Sequence, residues 1–263
     1  MIGKKLLTIS DIQTDEILYY DPDLEKQCYT FCLDRDIECL PALDNPQMIF
    51  LRNDEKQGFS KESVSETRSV NGDINIFASG MLEKFAARPL LMVYQGSELT
   101  GVVHYSDYNK PNVSLYLYEL FFNYEKALRN TLIQHGFDNA SMIAYFEEKK
   151  LRGKDQKTID YYASKVTDYQ DRGSKKKLPA FEVFYLKELV ALTNNKKIFK
   201  PSLNDTVTSL RNMVMHVNQF VEMKDLATDN LIYDFAVFQK FFGMALQLHT
   251  DFKRVNNHLA LNR

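Results

Sequence analysis

Apolar positions in the first 110 residues alternate between strand-like and helix-like spacing. Residues 5–9 form a short apolar run that predicts a first strand. Leu24, Cys28, Phe31 and Cys32 recur at helical spacing across residues 23–35, and Pro22 stands where its fixed φ suits a first turn. Residues 39–43 and 48–51 are short apolar runs around Asp44, Asn45 and Pro46, a turn signal between two predicted strands. Residues 53–73, rich in Ser, Glu and Lys, predict a loop with one edge strand over 67–70. The order then repeats. Phe77, Met81, Leu82 and Phe85 predict a helix over 76–87, residues 90–94 a strand, 95–98 a turn and 99–104 another strand. A helix–strand–turn–strand order thus occurs twice, a periodicity of the kind internal repeats show.

Pro111 marks a change, and from residue 112 the pattern is helical throughout. Leu117, Leu120, Phe121, Tyr124, Leu128 and Leu132 define one stripe of a helix over 113–134 that ends near Gly136. Further helices are predicted over 139–148, 157–170, 181–192, 202–217 and 230–254. Arg152 to Asp155 forms one loop and Arg172 to Pro179, with its run of lysines, another. Asn204 or Asp205 suits the cap of the helix after Pro201. The expected fold is therefore α+β, a mixed part over residues 1–110 followed by an all-helical part over 111–263.

A chain of 263 residues is long enough for two cores, and 44% apolar with 26% charged residues is ordinary for a globular protein. No window approaches eighteen uncharged apolar residues, so no membrane span is expected. The lysines at 4 and 5 precede too short an apolar run for a signal peptide. Cys28, Cys32 and Cys39 are odd in number, clustered and without histidines at ligand spacing. They read as small buried hydrophobes rather than a disulfide framework or metal site, which fits a reducing cytoplasm. Charge is uneven. Residues 1–110 hold 11 basic and 18 acidic side chains, and residues 111–263 hold 22 basic and 17 acidic. The second part is the one suited to a polyanion such as RNA.

Gly101-Val102-Val103-His104-Tyr105-Ser106-Asp107 resembles the closing strand of a CBS motif, with His104 where Thr or Ser is usual. Met48 to Asp54 keeps the spacing and the acid, Asp54. Leu40-Pro41-Ala42-Leu43-Asp44 resembles the strand before it, and Arg88 to Val93 is a looser equivalent. The resemblance implies a tandem pair of βαββα units with clefts for an adenine nucleotide, AMP, ATP or a derivative. Asp107, Asp54, Gly101, His104 and Ser106 are the candidate ligand residues. A carboxylate accepts from two vicinal ribose hydroxyls. The same Asp107 also suits a cap for the turn before Pro111.

Arg211-Asn212-Met213-Val214-Met215-His216 resembles the Arg-x4-His motif of HEPN domains, all-helical modules common in RNases of toxin and defence systems. The resemblance implies a homodimer whose two motifs form one composite cleft. It also implies a metal-independent endoribonuclease needing no cofactor and leaving a 2′,3′-cyclic phosphate. The roles are chemically apt. Histidine titrates in the range of a useful base, arginine grips phosphate with parallel N–H bonds, and Asn212 can orient either. Five residues of α-helix turn about 500°, so Arg211 and His216 lie about 140° apart on an ideal helix. They would not line one narrow face, so either the helix bends or ends near His216 or the site is shared across a dimer, and the resemblance implies the second. Glu125, polar on an apolar helix, is a candidate partner for Arg211. An alternative keeps Arg211 and His216 as a structural pair in a non-enzymatic nucleotide sensor or adaptor, whose helical part mediates dimerisation and partner binding.

Overall fold

A computed structural model describes residues 6–35, 37–176, 179–215, 222–224 and 231–262. The fold is α+β with small sheets and a helical C-terminal part, and it divides into two compact units. The first unit comprises Met1–Ser114 with Gln219–Phe242, and the second Leu115–Asn218 with Gly243–Arg263.

In the first unit, helix α1 (Glu25–Asp34) precedes β1 (Cys39–Pro41), β2 (Met48–Asn53) and β3 (Gly58–Ser63), an antiparallel sheet in the order β1-β2-β3. Cys28 and Cys32 lie on the buried face of α1 and pack with Leu40, as apolar side chains do. A second sheet joins β4 (Ser69–Asn71), β5 (Leu90–Gln95) and β6 (Glu98–His104), with helix α2 (Met81–Ala87) between β4 and β5. The twofold helix–hairpin order is present as α1-β1-β2 and α2-β5-β6. The third strands differ. β3 follows its hairpin and pairs antiparallel, whereas β4 precedes its helix and pairs parallel to β5. Strands β7 (Glu222–Lys224) and β8 (Leu231–Tyr233) and the start of α8 (Phe235–Leu261) complete the unit. Phe238 packs 5.0 Å from Tyr108 and 5.5 Å from Phe85 between ring centroids, and Phe242 packs 5.5 Å from Phe77. Burial of these rings ties residues 235–242 to the first unit.

The second unit is helical: α3 (Pro111–Gln134) from Leu115 on, α4 (Asn139–Leu151), α5 (Gln156–Lys176), α6 (Leu186–Asn195), α7 (Val207–Met215) and the rest of α8. All six stripe residues of α3, Leu117 to Leu132, are buried. Phe146, Leu189, Leu210 and Leu248 of the same unit are buried as well. Asp251 is fully buried on α8. It is satisfied by Asn204 N at 2.9 Å, Gln247 Nε2 at 3.2 Å and Arg254 Nη1 at 3.1 Å.

Several expectations are corrected. No strand occupies the described part of residues 5–9; Thr8 makes a single bridge to Asn75, and Ile9–Asp11 is a 3-10 turn. Residues 58–63, expected as loop, form β3. The edge strand expected over 67–70 is β4, shifted to Ser69–Asn71. The helix expected from 76 starts at Met81, because Asn75 Oδ1 accepts from Phe77 N in a local turn and Gly80 takes φ +90°. The loop expected over 172–179 is helical through Lys176. The helix expected from 181 begins at Leu186, after Phe181 at φ +65°, and that expected from 202 begins at Val207. Asn204 Oδ1 accepts from Thr206 N at 2.9 Å, so it closes the turn ahead of α7. The part after 112 is not all helix, since it contains β7 and β8.

Candidate functional site

Arg211 and Asn212 stand on α7 beside buried Leu210 and Val214, whose anchoring fixes the helix face they occupy. The two line an open cavity of about 460 Å³ together with Tyr161 and Lys165 of α5, Tyr185, and Lys187 and Glu188 of α6. Three cations thus face one carboxylate. That carboxylate is already committed: Glu188 is 5% exposed, holds Lys165 Nζ at 2.7 Å and accepts from Tyr185 N at 2.6 Å to cap α6. Burial works against the Lys165 charge, but the hydrogen bond and charge of Glu188 outweigh it and hold the ammonium above the ordinary lysine range. Lys165 Nζ lies 5.6 Å from the Tyr161 ring centre and 5.3 Å from that of Tyr185, and Lys187 Nζ lies 5.4 Å from Tyr161. Both tyrosines are exposed. The first turns of α6 and α7 also line the cavity, and the positive ends of their dipoles add to the field. Cations can hold a phosphate and aromatic rings can stack a base, so both chemistries are open to such a surface.

The expected Glu125 partner is present. Glu125 Oε1 lies 3.6 Å from Arg211 Nε, too far for a hydrogen bond, and that Nε is buried with no bonding partner among the described residues. His216 lies outside the described residues. Lys165, Lys187, Tyr161 and Tyr185 were not anticipated. They come from α5, α6 and the residue before α6, and the local hints were Lys157 and Lys165 four residues either side of Tyr161 and Lys187 two residues after Tyr185.

The candidate residues of the first unit are engaged in local networks. Asp107 Oδ2 accepts from His104 N at 2.7 Å and Oδ1 pairs with Lys110 Nζ at 3.0 Å, so the carboxylate caps the 3-10 turn Tyr105–Asn109. His104 Nδ1 accepts from Ser106 N at 3.1 Å and meets Ser106 Oγ at 2.7 Å. Burial lowers the His104 pKa, with Asp107 opposing, so the ring is neutral near pH 7. A Cβ on Gly101 would stand 2.9 Å from Thr14 O; the missing side chain admits residues 13–14 alongside β6. Asp54 is separate from these, held by Arg52 Nε at 2.9 Å and Tyr29 Oη at 3.2 Å. His104 lines a second cavity, of about 510 Å³.

No group of three or more metal-ligating side chains occurs among the described residues, and no described helix is long and apolar enough to cross a membrane. No family model matches the sequence, and searches of curated proteins and solved structures give no match.

Proposed function

We propose that this chain is a metal-independent endoribonuclease whose helical unit is HEPN-like and whose first unit is a CBS-like sensor of an adenine nucleotide. The observation that carries the RNA reading is the cavity where Arg211 and Asn212 meet Lys165, Lys187, Tyr161 and Tyr185. Arg211 and Lys187 bind adjacent phosphates and the tyrosine rings stack a base. His216, from either protomer of a homodimer, takes the proton of the ribose 2′-OH. The 2′-oxygen bonds to phosphorus as the P–O5′ bond breaks, and the departing O5′ takes a proton from water, leaving a 2′,3′-cyclic phosphate and a 5′-hydroxyl.

The test is incubation with single-stranded RNA in chelator, with end-group analysis of the products. Cyclic phosphate ends that vanish in Arg211→Ala and His216→Ala, both still folded by circular dichroism, support the reading. Unchanged cleavage in both folded variants sinks it.

A non-enzymatic adaptor reading draws on the Glu125 network, which gives Arg211 a structural partner. Under that reading Arg211→Ala lowers stability, and RNA is bound without being cut.

A further inference from the structure

The first-unit cavity lined by His104 has a chemistry of its own. At about 510 Å³ it falls within the range of small-molecule sites. Part of its lining is basic. Arg35 and Arg68 line it, and Arg68 Nη1 lies 3.4 Å from Oε2 of Glu38, an oxygen that Arg88 Nη1 also reaches at 3.4 Å. Both separations exceed the 2.7–2.9 Å of a tight charge-assisted bond, and one carboxylate does not neutralise two guanidiniums. The Arg68 side chain is 12% exposed, so its charge is largely shielded from water; Nη1 donates to Glu38 Oε2 and, at 3.9 Å, to Cys39 Sγ, and Nε and Nη2 have no bond among the described residues.

The remainder is aromatic and apolar. His104 and Tyr105 lie with ring centroids 4.2 Å apart at 33°, and Tyr233 meets His104 edge-on at 5.6 Å. Tyr105 Oη donates to Tyr233 O at 3.1 Å, which fixes the second ring against the third residue's backbone. Leu90 and Ile37 add apolar surface. Because Ser106 N donates to His104 Nδ1, the proton of the neutral imidazole sits on Nε2, where it is a donor.

We propose that this cavity binds a ring-bearing phosphate of mononucleotide size, with the phosphate on Arg68 and Arg35 and the ring against His104 and Tyr105. The proposal rests on the nucleotide-sensor reading but relocates the ligand. Asp107 is spent on His104 N and Lys110, and Gly101 serves the passage of Thr14, so neither is the recognition element.

The test is calorimetric titration of the full chain with AMP, adenosine and inorganic phosphate. AMP is expected to bind saturably, with adenosine and phosphate each weaker by about tenfold or more, the loss of one charge-assisted or stacking contribution. Arg68→Gln is expected to weaken AMP by about tenfold or more. Arg35→Gln, at an exposed position, gives the same readout if Arg68→Gln does not fold. Absence of saturable AMP binding overturns both this inference and the nucleotide-sensor reading. AMP binding abolished by Asp107→Asn but untouched by Arg68→Gln and Arg35→Gln overturns this placement alone. RNA cleavage in the same preparation without AMP reports on the helical unit independently.

Discussion

Glu125 stands between two arginines: Oε1 lies 3.6 Å from Arg211 Nε, and Oε2 accepts from Arg129 Nη2 at 3.2 Å. Arg129 also donates to the carbonyls of Phe181 and Phe184, each at 3.3 Å, and so ties α3 to the segment before α6. Glu125 is the carboxylate beside Arg211 among the described residues, and at 3.6 Å it does not saturate the guanidinium, which also lines the cavity.

Glu125→Gln removes the charge that both arginines lean on, in a site where all three side chains are largely buried. A stability loss of about 1–3 kcal/mol is expected. Urea denaturation of the second unit's helical signal checks it, and an unchanged midpoint would show that the carboxylate has no orienting role.

Lys187 and Lys165 line the same cavity but respond differently to neutralisation. Lys187 is exposed and has no carboxylate partner in the described structure. Lys187→Gln is expected to reduce the salt slope of RNA binding by about 0.7–1 with little change in stability. Lys165→Gln strips Glu188 of its partner at 5% exposure, and a stability loss of about 2–3 kcal/mol is expected. Filter binding across a salt series and thermal melts separate the two effects.

Gly101→Ala places a Cβ 2.9 Å from a backbone oxygen and 2.8 Å from Gln13 Cδ. Displacing backbone is expensive, and a destabilisation of about 1–3 kcal/mol is expected. Gly243→Ala is the counterpart: it lies within α8 with nothing within 4 Å of its added Cβ. There a gain of up to about 1 kcal/mol is expected from helix propensity. Chemical denaturation of both variants checks the contrast.

Acid is expected to weaken the fold on the histidine side of neutrality. Burial lowers the pKa of His104, and burial followed by the charge of His135 lowers that of His258. The His135 and His258 Nε2 atoms are 2.8 Å apart, so one ring must stay neutral to accept from the other. A depressed folded pKa gives stability that is present above the unfolded value, about 6.5, and is lost as pH falls through the folded one. Urea midpoints from pH 8 to 5 should therefore decline below about 6.5. His104→Asn keeps an acceptor for Ser106 N and removes one titrating ring, so its decline should be shallower.

The sequence made some of this structure legible and hid the rest, for identifiable reasons. The α3 stripe from Leu117 to Leu132 was readable because a helix with one buried face repeats its apolar positions. The hairpins β1-β2 and β5-β6 were readable from apolar runs around turn residues. β3 was not: Lys61 and Glu62 are exposed on an edge strand held by backbone bonds to β2, and charged edges carry no apolar alternation. β7 and β8, at three residues each, are too short to show a period. Arg211 and Asn212 stood out as neighbours in sequence. The cations and rings around them are assembled from α5 and α6, and no local spacing encodes that meeting.

The passage of Thr14 beside Gly101 has a bearing on how the molecule behaves in a crowd. Thr14 N and O are bonded to Val102 O and N, so the open flank of β6 is stoppered by the chain itself. A version trimmed past Thr14 would offer that flank to any neighbouring strand, and the same polar groups would then seed assembly between molecules.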